Sequence, residues 1–108
     1  MPRALSPQTI DAAATLGMLV AAGRRARRWP QADLAERLGV SRQTVSKVEM
    51  GDPSVALGTV LEAAVLVGVP LFDADRSGMR TMGELAEARL ALLPSRVRST
   101  PAKVDDDF

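Results

Sequence analysis

The chain has no cysteine and no histidine. Without thiols, no disulfide framework or thiolate metal site can form, and a reducing compartment is compatible with that. Without imidazole, the commonest general base and the commonest metal ligand are both missing. Catalysis would have to rest on carboxylates, lysine, serine or threonine alone. No phosphate-binding glycine loop is present, and the aspartate run Asp105–Asp107 lies in a polar segment that cannot hold a fixed geometry. The reading is therefore not an enzyme, with no cofactor and no metal. No apolar run approaches the roughly 20 residues that span a bilayer, and the start of the chain lacks the basic stretch, apolar run and small-residue cleavage site of a secretory signal. These absences predict a soluble, cytoplasmic protein without a membrane partner.

What is present amounts to one compact domain with loose ends: 108 residues, 46% of them hydrophobic. A chain of about 100 residues normally shares a single core. Net charge is only +1, but it is unevenly spread. From Arg24 to Lys47 there are seven basic residues against Asp33 and Glu36, a balance of +5, whereas the chain from Val48 onward has six basic against ten acidic, a balance of −4. The asymmetry predicts a polyanion-binding face confined to one segment.

Helical punctuation recurs along the sequence. Ser6-Pro7 opens a first helix, a serine cap followed by a proline whose missing N–H is no loss there, and the pattern carries to about Arg28. Leu16, Leu19, Val20 and Gly23 share one face. Gly17 and Gly23 weaken a helix, which points to close approach by another helix at those positions. Trp29-Pro30 interrupts, since the residue before a proline is driven from helical geometry; Trp29, the sole tryptophan, reads as core between two helices. A second helix spans Gln31 to Leu38, Gly39 and Val40 form the turn, and Ser41 caps a third from about Arg42 to Met50. Gly51 to Ser54 is a turn. A fourth helix covers about Ala56 to Val67, with Leu57, Val60, Leu61, Ala64 and Val65 inward, and Gly68 ends it. Val69 to Phe72 should lie extended over the core, Asp73 to Gly78 should be a loop, and Met79 to Leu93 reads as a last helix stopped by Pro94. Ser95 to Phe108 is too polar to build a core and is expected to be disordered alone.

Function becomes legible in QADLAERLGVSRQTVSKVEMG, residues 31–51. Where two short helices cross tightly, the first needs a small residue at the crossing, the turn a glycine, and the second a branched apolar residue facing back. Counting Gln31 as first, Ala35 is fifth, Gly39 ninth and Val45 fifteenth. Leu34, Leu38, Val40, Val45 and Val48 make the buried side, and Arg42, Gln43, Ser46 and Lys47 form one outward stripe. Arginine or lysine can donate to guanine O6 and N7, and glutamine can pair with adenine in two bonds, so the stripe has the chemistry to read base edges in the major groove.

From about Leu16 to Phe72 the sequence resembles the Xre/Cro family of phage-type repressors. The resemblance implies an all-α fold: a five-helix lambda-repressor-like helix-turn-helix domain with an extra C-terminal helix and a disordered tail. It implies that Arg42, Gln43 and Lys47 meet bases of a double-stranded DNA operator, with Gln31, Ser41, Thr44, Ser46 and Arg28 on its backbone. Gln31 is expected to hold a phosphate together with the helix N-terminus. Glu49 is expected to form a structural ion pair with Arg24, seven residues before Gln31. One departure is Pro30, where the family usually carries a capping Ser or Thr. The expected organisation is a flexible N-terminus (1–6), the DNA-binding domain (7–72), a C-terminal helical extension (73–93) that can serve dimerisation, and the tail (94–108). The implied protein is a homodimeric, nucleoid-associated transcriptional repressor. The connection GDPSVALGTVLEAA and the tail PSRVRSTPAKVDDDF further resemble HipB-like antitoxins that accompany HipA-like toxin kinases. Two alternatives are a stand-alone Xre-family regulator and an interaction module of the same fold that does not bind DNA.

Overall fold

The computed structural model describes residues 4–96; the expectations for residues 1–3 and 97–108 fall outside the described residues. Five helices build it, α1 (Pro7–Ala26), α2 (Gln31–Leu38), α3 (Arg42–Glu49), α4 (Leu57–Leu66) and α5 (Arg76–Ala91), with no strand among the described residues. The chain divides between Asp73 and Ala74 into one unit holding α1 to α4 and a second holding α5. No helix among the described residues is long and apolar enough to cross a membrane.

Helix α1 starts as its sequence predicts. Ser6 Oγ accepts from the Thr9 N–H at 3.2 Å, and Pro7 takes the first position. Its end comes two residues earlier than the pattern implies. The Arg28 N–H donates to Arg25 O at 2.9 Å and the Trp29 N–H to Arg24 O at 3.2 Å, with Arg28 at φ 60°. Pro30 forces Trp29 out of helical geometry, so the last turn must close before it. That closure needs a left-handed residue, and an arginine adopts the conformation at a cost on the order of 1 kcal/mol.

Val20, Leu34 and Val45 are fully buried and form the centre of the first unit with Ala35, Val48, Ala63, Ala64 and Val67. Leu16, Trp29, Leu38, Val40, Val60, Val69 and Leu71 pack around them. Each fully buried Val or Leu contributes roughly 1.5 to 3 kcal/mol. The glycines of α1 let backbones meet. A Cβ on Gly17 would lie 2.7 Å from Glu49 O, and one on Gly23 2.7 Å from Val67 O, so α1 is pressed against the ends of α3 and α4. Gly39 does different work: at φ 73° it turns the chain between α2 and α3, and a Cβ there would meet nothing. The next turn is held by Asp52, whose carboxylate accepts from the Ser54 N–H at 2.8 Å and the Ser54 hydroxyl at 2.7 Å.

Four details depart from the sequence pattern. In α4, Ala64 is buried as expected, but Ala63 joins it, followed by Val67, while Leu57 and Val65 are exposed at 72% and 54%. The helix is apolar almost all round, so periodicity does not mark a face, and the small alanines are what admit close packing. Leu19 is about half exposed, and the inward face of α1 is Gly17, Val20 and Arg24. Phe72 does not cover the core: it and Asp73 both sit at φ 55° in a turn, and Phe72 is 73% exposed. Finally, α5 begins at Arg76 rather than Met79, because Asp75 Oδ1 accepts from the Gly78 N–H at 2.8 Å and caps it.

The two kinds of glycine should respond differently to one methyl group. Gly17→Ala drives a Cβ into backbone that cannot move aside and should cost about 1 to 3 kcal/mol through overpacking. Gly39→Ala meets only the left-handed penalty, about 1 kcal/mol. Urea melts of the two variants measure both; equal losses would mean that α1 can shift away from α3.

Candidate nucleic-acid interface

Helix α3 owes its start to Ser41. The Ser41 Oγ accepts from the Thr44 N–H at 3.1 Å and lies 3.0 Å from Thr44 Oγ1, so the two hydroxyls form one capping unit. Val45 and Val48 face the core at 0% and 3% exposure, against α2, where Ala35 is also buried. The opposite side carries Arg42, Gln43 and Lys47, all exposed, and Ser46, half-buried. Three long polar side chains on adjacent turns therefore project from one short, capped helix that the core holds from behind.

Three helices meet beside this stripe. Arg24 of α1, buried with a side chain 8% exposed, donates from Nε to Glu49 Oε2 at 2.6 Å and from NH2 to Oε1 at 3.0 Å; the Glu49 side chain is 7% exposed. A third guanidinium donor, NH1, reaches Trp29 O at 2.8 Å. Gln31, the first residue of α2, donates from Nε2 to Glu49 Oε1 at 3.0 Å. Burial by itself would push the Glu49 carboxyl up. The hydrogen bonds from Arg24 and Gln31, with the charges of Arg24 and Arg25, outweigh it and hold the carboxyl below its ordinary range. The hydrogen bond to Glu49 likewise raises Arg24, against desolvation.

The pairing also orients Gln31. An ionised carboxylate can only accept, so it selects the amide rotamer with nitrogen toward Glu49, and that nitrogen keeps a second N–H for another acceptor. Pro30 precedes α2 without a side-chain cap bond, so no side-chain oxygen occupies the amides at the helix start.

Trp29 is half-buried against the core and flanked by two cations, Arg37 at 4.0 Å from the ring centroid and Arg27 at 5.7 Å. Arg27 also donates to Val67 O at 2.6 Å, tying the end of α1 to the end of α4. Arg28 is exposed at the left-handed position that closes α1. Gln31 and Ser46 line a common groove of about 480 Å³, and Arg25 lines it as well. In the sequence Arg25 counts only toward the charge of the basic segment. Its signal was the helical spacing Met18, Ala21, Ala22, Arg25, a stripe beside the buried one.

The arrangement defines a DNA-binding domain built on two crossed helices. A family model described as helix-turn-helix matches residues 20–73, half of the chain. The chain belongs to this helix-turn-helix family, of the Xre/Cro type, and is a DNA-binding regulator by class. No curated protein and no solved structure matches it.

Because Glu49 is held below the usual carboxylate range in the fold, the stability it supplies is present at neutral pH and lost as pH falls through the folded value. At pH 7, Glu49→Gln strands the Arg24 charge and should cost roughly 3 to 5 kcal/mol. In wild type the carboxyl protonates only as the pH falls below the ordinary carboxylate range, so the gap between the two proteins should shrink there. Urea melts at neutral and acid pH measure it, and a gap independent of pH would show that the pair does not carry the charge assigned to it.

Proposed function

We propose that this chain is a sequence-specific transcriptional repressor that binds a double-stranded operator as a homodimer. The observation that carries this is the exposed stripe Arg42, Gln43 and Lys47 on α3, backed by a buried core and flanked by Gln31. Arg42 and Lys47 supply donors for guanine edges and Gln43 a paired donor and acceptor for adenine. Gln31, with its second amide N–H and the start of α2, takes a phosphate. Ser41, Thr44, Ser46 and Arg28 complete the backbone contacts.

One short helix reads only a few base pairs, and two half-sites supply the remaining specificity. Leu85, Leu90 and Leu93 of the C-terminal segment are exposed, which supports that segment as the dimer element. Within this reading the protein is an autoregulating, HipB-like antitoxin whose partner is a HipA-like toxin kinase. The support is the sequence of the C-terminal segment, which is polar with Val104 and Phe108 as apolar anchors.

On duplexes selected from a random-sequence pool, Arg42→Ala and Gln43→Ala should each cost about 1 to 3 kcal/mol and relax base preference at one position. Gln31→Ala should weaken all sequences alike, since a phosphate contact carries no base information. Wild-type affinity and selectivity in both α3 variants would refute the assignment. For the antitoxin role, deletion of residues 95–108 should leave DNA binding intact and abolish co-purification of a co-expressed HipA-like kinase; equal recovery with and without them would remove the tail from that role.

A further inference from the structure

The groove beside the reading stripe is walled by Met18, Ala21 and Ala22 of α1 on one side and by Ser46 of α3 and Met50, which caps its end, on the other, with Gln31 and Arg25 at its edge. Met18 and Met50 are exposed at 61% and 74%. Its only acidic residue is Glu49, and that carboxylate is already taken by Arg24 and Gln31. Because the buried Arg24 behind it already pairs with Glu49, Arg25 is left as the groove's uncompensated charge.

Resting on the DNA-binding reading above, we infer that this groove is the track of one sugar-phosphate strand of the operator, and that Arg25 binds a phosphate in it. Three observations converge. The groove is continuous with the interface, because Gln31 and Ser46 belong to both. Its charge complements an anion, and its free cation is an exposed arginine, the residue type whose forked donors match phosphate oxygens. Its two walls present thioethers, flexible apolar groups that suit the deoxyribose faces between phosphates. Alanines at 21 and 22 keep the α1 wall low enough for a backbone to enter. The consequence is that α1, outside the two crossed helices, contributes directly to affinity but not to sequence choice.

Salt titrations of binding to a selected duplex and to a random-sequence duplex test this. Arg25→Ala should weaken both by a common factor, roughly three- to tenfold, and lower the log–log salt slope by about one. Arg25→Lys should keep the slope, and Met18→Glu, which sets a like charge on the wall, should weaken both duplexes at least as much as Arg25→Ala. Arg80→Ala, on α5, controls for the loss of one positive charge anywhere. Unchanged affinity and slope in Arg25→Ala, or an equal effect in Arg80→Ala, would overturn the groove as a strand track while leaving the α3 reading standing. If wild type bound neither duplex at any salt concentration, both readings would fall together.

Discussion

The contact on which the rest of this structure depends is the buried pair of Arg24 and Glu49, because it joins three helices at one point. Arg24 comes from α1, Glu49 closes α3, and Gln31 opens α2; the carboxylate accepts from both partners. A buried ion pair is weak evidence for net stability, since desolvation offsets much of the attraction. Its value here is geometric. A carboxylate with two fixed donors sets the rotation of α3 about its axis and so the direction of the exposed stripe Arg42, Gln43 and Lys47, and it also decides which end of the Gln31 amide faces outward. One residue thus couples the exposed stripe of α3 to the first residue of α2.

That pair can exist only because α1 comes very close. Gly17 lies directly beneath the carbonyls of Val48 and Glu49, and Gly23 beneath Val67. Side chains at either place would lift α1 from the ends of α3 and α4 and lengthen the Arg24 to Glu49 bonds. The glycines cost helix propensity along α1, and the packing of Val20 against Leu34 and Val45 more than offsets it. Packing, electrostatics and the recognition surface are therefore one problem: the same close approach fixes the core, the ion pair and the groove beside the stripe.

The crossed helices were legible in the sequence because their constraints are local. Ser41 caps by reaching three residues ahead, Gly39 turns the chain at its own φ, and Ala35 and Val45 meet across a connection too short to vary. The outward stripe followed from helical period alone. Helix α5 starts three residues before the position its apolar spacing implies, because Asp75 caps it through an acceptor three residues before Gly78. The buried face of α4 was legible only in part: Ala64 is buried and Val60 and Leu61 are half-buried as expected, but Leu57 and Val65 are exposed and Ala63 is buried. In LGTVLEAAVL nearly every position is apolar, so the choice of Ala63 over Leu57 and Val65 depends on what packs against them.

The sequence by itself determined the two crossed helices, their caps and turn, and the chemistry available on α3, since each depends on residues within about one turn of each other. Only the tertiary structure decided that Gln31 and Arg24 share the Glu49 carboxylate, that Trp29 meets both Arg27 and Arg37, and that Arg25 stands at the edge of a groove with Ser46 and Met50. Those neighbours are far apart along the chain. Their meeting is set by how closely whole helices approach, which depends on summed packing and not on any local pattern.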